Sequence, residues 1–125
     1  MNNSAVKRTF SVGNDVVLLS EFEKSFNSLF KKKIYTDQEI AYCNLFDKPL
    51  LRYASTWAAK EAVYKAIKQI SKSPLPFKKI EITREKVGGL PNVILHVKYT
   101  LPIEISLSIT HDGDYVWAIA IVEQL

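Results

Sequence analysis

Apolar positions change their period along this chain of 125 residues, and each change predicts an element. Val12, Val16, Val17, Leu18 and Leu19 crowd residues 9–19 and predict a strand. Gly13 inside it signals a bulge or a close approach of another backbone. From Ser20, the expected N-cap, Phe22, Phe26, Leu29 and Phe30 recur at helical spacing. The helix should end at Lys31, Lys32 and Lys33, whose charges suit the negative end of its dipole. Thr36-Asp-Gln-Glu39 matches a capping box and predicts a short helix carrying Ile40 and Tyr42, ended by Asp47-Lys-Pro49. Residues 50–70 are rich in alanine and hold neither Gly nor Pro, so they predict the long helix, stopped by Ser73-Pro-Leu-Pro76. Alternation then takes over. Lys79–Arg84, Asn92–Tyr99, Ile103–Thr110 and Tyr115–Val122 predict strands, with turns at Gly88-Gly89, Leu101-Pro102 and Asp112-Gly113-Asp114. A strand, helices and then hairpin-linked strands predict an α+β fold, a mainly antiparallel sheet packed with a long central helix.

Length and composition narrow the setting. At 14.2 kDa, 47% hydrophobic and 24% charged, the chain reads as one globular domain over residues 1–125, with a loose polar start at residues 1–8. The only cysteine, Cys43, has no internal disulfide partner and is expected to be a partly buried helix residue. No apolar run approaches the ~20 residues of a membrane helix, and the start lacks a signal-peptide core. A soluble, cytoplasmic protein without a membrane partner is expected. The net charge of +4 favours an anionic ligand or partner without choosing one.

Three places hold candidate chemistry. Trp57, Glu61 and Lys65 are spaced four apart on the long helix, and Lys68 lies on the same side. A solvated face with one Glu-to-Lys pair would explain them, but the small neighbours Ala58, Ala59 and Ala62 let something approach the backbone here. Asp15 interrupts an apolar strand, where a carboxylate needs a partner, a metal or water; a Gly-Asn-Asp turn at the strand end is the simpler account. Ser106, Ser108 and Thr110 alternate onto one face and lead to His111, which suits anion binding or an ordinary polar sheet face. His96 alternates within a strand and reads as surface. Two carboxylates, a lysine and a histidine, with no evident nucleophile, suit Mg²⁺ shared with substrate phosphates, and hence phosphoryl-type transfer.

The order of these motifs resembles a known family. Gly13-Asn-Asp15, Trp57-Ala-Ala-Lys-Glu-Ala-Val-Tyr-Lys65 and Ser108-Ile-Thr-His111 resemble the 4′-phosphopantetheinyl transferases, and the length resembles their small branch, the holo-acyl-carrier-protein synthases. The resemblance spans roughly residues 9–123, and Lys-Glu-Ala-x-x-Lys is its most specific part. It implies transfer of 4′-phosphopantetheine from coenzyme A to a serine of an apo acyl carrier protein, releasing adenosine 3′,5′-bisphosphate, in fatty acid biosynthesis. It implies that Asp15 and Glu61 hold Mg²⁺, with Mn²⁺ the alternative, and that Glu61 serves as base for the partner's serine. Lys65 would steady the pyrophosphate, and His111 would contact coenzyme A phosphates. Trp57, Lys68, Ser108 and Thr110 would complete the coenzyme A contacts. It also implies a homo-oligomer, a trimer with sites between protomers.

The sequence departs from that pattern in four places. The usual Gly-rich turn after the central helix is replaced by Lys68-Gln-Ile-Ser-Lys-Ser-Pro-Leu-Pro76. Ser20-Glu21-Phe22-Glu23 stands where small members often carry an arginine that meets the acidic carrier protein. Ser55-Thr56 replaces the arginine one turn before Lys60-Glu61, with Arg52 a turn earlier. Only Thr100-Leu-Pro102 remains of the helix before the last two strands. Lys24 and Lys31–Lys33 form either a replacement basic surface or a solvated helix end. A binding module that keeps coenzyme A or the carrier protein without turnover is the second reading. A nucleic-acid-binding domain is the third, and it lacks interleaved exposed aromatics at a recognisable motif.

Overall fold

The computed structural model describes residues 9–98 and 100–125. The expected loose start at residues 1–8, and Tyr99 at the end of a predicted strand, lie outside the described residues. The elements run β1 (Phe10–Leu18), α1 (Leu19–Ser25), α2 (Ser28–Ile34), α3 (Asp37–Cys43), α4 (Pro49–Ile67), a 3-10 turn (Phe77–Lys79), β2 (Ile80–Thr83), β3 (Asn92–Leu95), β4 (Ile103–Asp112) and β5 (Tyr115–Gln124). The α+β expectation holds, but the strands form two antiparallel sheets. One has the order β1-β5-β4, and the other is the pair β2-β3. Among the described residues, no helix is long and apolar enough to cross a membrane.

The expected helix from Ser20 to Lys33 is two helices. Asn27 breaks it by accepting a hydrogen bond from Phe30 N at 2.8 Å, which starts α2 afresh. Ser20 is not the N-cap: Leu18 holds that position and α1 has no side-chain cap. The Thr36/Glu39 capping box of α3 is formed as expected. Pro49 opens α4, where its missing N–H is no loss, and the helix ends at Ile67 rather than residue 70.

Helix α4 covers the inner face of the larger sheet through small residues. Ala58, Ala59, Ala62 and Ala66 on the helix and Ala118 and Ala120 on β5 are fully buried. Gly13 makes the closest approach, because a Cβ there would lie 2.0 Å from Ala62 O. The register of β1 on β5 is unbroken, so Gly13 marks a close approach and not a bulge. Ser11 Oγ donates to Ala66 O at 2.9 Å, and Gln69 Nε2 donates to Val12 O at 2.7 Å. The free edge of β1 is thereby tied to the last turns of α4.

The other side of α4 holds a buried ion pair. Lys60, fully buried, lies 2.8 Å from Glu39 Oε1 and also donates to the carbonyls of Phe77 and Ile80. Glu39 Oε2 accepts from Ile82 N at 2.8 Å. Burial pushes the Glu39 carboxyl up and the Lys60 amine down, and each partner's charge opposes the other's shift. This pair locks α3, α4 and β2 together. Cys43, expected to be partly buried, is fully buried. His96 is not free surface, since Nε2 lies 2.9 Å from Glu81 Oε1.

Candidate active site

The tie between β1 and α4 brings three of the expected residues together. Ser11, Gly13, Asp15 and Val17 alternate onto the face of β1 toward α4. Asp15 therefore points at the helix that carries Glu61 and Lys65. Lys65 Nζ donates to Asp15 Oδ1 at 2.8 Å and to Asn14 O at 3.3 Å. The pairing raises the Lys65 pKa, with the Asp15 hydrogen bond the largest cause. Burial raises the Glu61 carboxyl, Asp15's charge raises it further, and Lys65 partly offsets both. A carboxyl shifted upward is a better proton acceptor near neutrality.

The remaining expected residues lie elsewhere. Trp57 sits edge-on between Phe30, 5.3 Å away, and Phe77, 4.8 Å away, in an aromatic cluster beside Glu61. Lys68 Nζ folds back to donate to Ser73 O at 2.8 Å, closing the loop that replaces a Gly-rich turn. Ser108 and Thr110 are exposed on the outer face of the sheet, opposite Ile119 and Trp117 of β5. His111 falls at the end of β4 opposite Val116, whereas Asp15 is in register with Ala118 and, beyond it, Ile109. Two strands and two residues separate them, or about 12 Å.

His111 belongs instead to a cationic cavity of about 510 Å³. Arg52 and Ser55 of α4, Arg84 and Lys86, and the Gly88–Pro91 loop line it with Thr110 and His111. Arg84 is held over the Tyr42 ring at 5.0 Å, and its Nε donates to Gly89 O at 3.1 Å. The Tyr42 hydroxyl accepts from Gly88 N at 2.9 Å, so the loop is anchored to α3. Sequence reading missed Arg84 and Lys86. Gly88-Gly89 was legible as a turn, but nothing local says that the turn folds toward His111.

Comparison with known proteins then decides the family. A family model described as the 4′-phosphopantetheinyl transferase superfamily matches residues 11–120. The chain belongs to that superfamily. Among the transferases it resembles is the holo-[acyl-carrier-protein] synthase of Moorella thermoacetica, 37% identical over 119 residues, covering 89% of this chain and 91% of the relative. The Chlamydia trachomatis enzyme of the same name is 32% identical over 120 residues and is covered over 99% of its length. A fatty acid synthase subunit alpha from Candida albicans is 36% identical over 124 residues, and there this chain spans only 6% of the relative. The fold matches an ACPS–CoA complex from Chronobacterium ammoniagenes with a TM-score of 0.81 and 25% identity, covering 94% of this chain and 99% of that one. It also matches the Helicobacter pylori holo-[acyl-carrier-protein] synthase in complex with coenzyme A, with a TM-score of 0.74 and 26% identity over 90% of this chain and 99% of that one. The fold class and the expected small branch of this phosphopantetheinyl transferase family are thus both shown.

Proposed function

We propose that this transferase moves 4′-phosphopantetheine from coenzyme A to a serine of an apo acyl carrier protein. The cluster of Asp15, Glu61 and Lys65 carries the reading, together with the lack of a reactive thiol among the described residues. The one thiol, Cys43, is fully buried and pushed up to about 11, so it stays a protonated core group. The attacking hydroxyl is the partner's. Glu61 accepts its proton as the serine oxygen bonds to the phosphorus that carries pantetheine. The bridging P–O bond breaks, and adenosine 3′,5′-bisphosphate leaves with the bond's electrons. Lys65, held by Asp15, presents its ammonium to the charge that grows on the leaving phosphate.

Mg²⁺ fits the donor set. Two carboxylates close enough to perturb each other, with no third His, Cys, Asp or Glu forming a closed cage among the described residues, suit a hard cation shared with phosphate oxygens. Asp15 and Glu61 would hold it. When bound, it neutralises pyrophosphate charge and sharpens the phosphorus as an electrophile. Mn²⁺ is the alternative. The cationic cavity with Arg52, Arg84, Lys86 and His111 suits the phosphorylated nucleotide end of coenzyme A.

An exposed apolar sheet face supports self-association as part of the same reading. Val12, Val16, Trp117, Ile119 and Ile121 expose a continuous apolar stripe on the outer face of the larger sheet, beside Ser108 and Thr110. A second copy seated there buries this stripe, and its cavity reaches a site that one chain leaves divided; a trimer is the form we favour. The reading requires a soluble protein that meets the carrier protein in the cytoplasm. Intact mass spectrometry of an apo acyl carrier protein incubated with this protein, coenzyme A and Mg²⁺ tests the activity. The expected result is the mass gain of one phosphopantetheine, abolished by EDTA. Coenzyme A binding without any gain would favour a module that binds and does not turn over.

A further inference from the structure

We propose that Phe46 and Tyr42 are positioning residues: they hold the guanidiniums of Arg52 and Arg84 as a fixed pair at the cationic cavity, and so set its preference for a phosphorylated nucleotide. This rests on the reading above that seats the nucleotide end of coenzyme A there. The Arg52 guanidinium lies 4.0 Å from the centre of the Phe46 ring, and that of Arg84 lies 5.0 Å from the centre of the Tyr42 ring. The two rings meet edge to face at 5.2 Å. The four side chains form one continuous stack, with a cation at each end.

Local structure explains the alignment of the rings. Tyr42 is in the last turn of α3. Leu45 N then donates to Tyr42 O at 3.1 Å and Phe46 N to Cys43 O at 3.4 Å. This tight turn keeps Phe46, four residues on, beside Tyr42. Arg52 comes from the first turn of α4, and Arg84 follows β2 directly. The stack therefore joins three elements around one cavity.

Packing alone would explain one such stack. It does not explain why both cations converge on a cavity with no acidic residue in its lining. Among the described residues, neither arginine has a carboxylate within ion-pair distance. Like charges repel, and long side chains gain freedom by swinging into water, so holding them together needs an anchor. Arg84 has a second one in its Nε bond to Gly89 O at 3.1 Å. For Arg52 the Phe46 face takes that part. Ser55, one turn later on α4, lines the same cavity, but its hydroxyl donates to Leu51 O at 2.8 Å. The positive charge that α4 brings to the cavity thus sits where Phe46 fixes it. A ring covers the face of a guanidinium and leaves its N–H edge free for phosphate oxygens. Donors fixed before the ligand arrives lose little freedom on binding. With the diphosphate of coenzyme A at Asp15, Glu61 and Lys65, the charge left for this cavity is the 3′-phosphate on the ribose.

Calorimetric titration with coenzyme A and with 3′-dephospho-coenzyme A, in the presence of Mg²⁺, tests this. Wild type should prefer coenzyme A. In Phe46→Leu, which keeps apolar bulk and removes the ring face, that preference should fall about three- to tenfold. Affinity for the dephospho form should stay within about twofold, which also shows that the variant is folded. Phe46→Tyr keeps the face and should behave as wild type. In Arg52→Ala protein, adding Phe46→Leu should change coenzyme A affinity by less than about twofold, because the ring acts through that arginine. An unchanged preference in Phe46→Leu overturns the proposal, as does equal weakening of both ligands or a full Phe46→Leu effect in the Arg52→Ala protein. Equal binding of both ligands by wild type would show that the cavity holds no 3′-phosphate, and would overturn it too. Wild type that prefers coenzyme A but transfers nothing to any carrier sinks the transferase reading, while the titrations still decide this one.

Discussion

Replacing Gly13 by alanine tests how the site is assembled. The backbone conformation at Gly13 is one any residue adopts, so the added methyl acts through space alone. Its Cβ would stand 2.0 Å from Ala62 O and 2.7 Å from Ala66 N, both main-chain atoms that cannot rotate away. Ordinary contact begins at 3.4 Å, so β1 must retreat from α4 by roughly 1.4 Å. That retreat stretches the Ser11–Ala66, Gln69–Val12 and Lys65–Asp15 bonds, now 2.9, 2.7 and 2.8 Å, past hydrogen-bond length. Overpacking of this kind costs about 1–3 kcal/mol, and each lost bond adds about 0.5–1.5 kcal/mol. A total of about 2.5–7.5 kcal/mol corresponds to a melting temperature lowered by roughly 10–30 °C at about 4 °C per kcal/mol. Asp15 moves away from Glu61 and Lys65 by a similar distance, and a misplacement of about 1 Å costs about a hundredfold in rate. Calorimetry and the phosphopantetheine transfer assay read both effects. A Gly13→Ala protein that melts within 2 °C of wild type and turns over within about threefold would refute the argument that β1 is set by this contact.

Other variants separate the remaining roles. Glu61→Gln should keep the fold, read by circular dichroism, and lose about 10²–10⁴ in turnover if Glu61 is the base. In the metal-free protein the Glu61 carboxyl, followed by carboxyl NMR, should titrate above the ordinary glutamate value near 4.3, because burial and Asp15 both hold it up. In Asp15→Asn the upward push of that charge is gone, so the Glu61 midpoint, followed by carboxyl NMR, should move down. Lys60→Met leaves Glu39 buried without a cation and the Phe77 and Ile80 carbonyls without their donor, and should cost about 3–5 kcal/mol in urea unfolding. Ile119→Glu places a charge on the outer sheet face and should lower the oligomeric state seen by analytical ultracentrifugation, without unfolding the chain.

Local patterns carried much of this protein. The alanine-rich stretch after Pro49 could only be a helix, the Thr36/Glu39 box announced α3, and alternation marked β4 and β5. These signals are short-range, because a period shows which face of an element is apolar. The ordered motifs around Asp15, Glu61-x-x-x-Lys65 and His111 likewise pointed to the family before any fold was known. The break at Asn27 was missed because the phenylalanines on both sides keep helical spacing, while a single side-chain oxygen ends the ladder. The buried role of Glu39 was hidden because the capping box already explained that residue. Distances between elements were beyond the reach of sequence. Asp15 meets Lys65 because glycine on β1 and alanine on α4 leave no side chain to hold the backbones apart. Arg84, Lys86 and His111 share a cavity because Tyr42 anchors the glycine loop from a helix far away in sequence. Periodicity and motif order settle which elements form and what chemistry they carry. Only close packing between elements decides which of those groups meet.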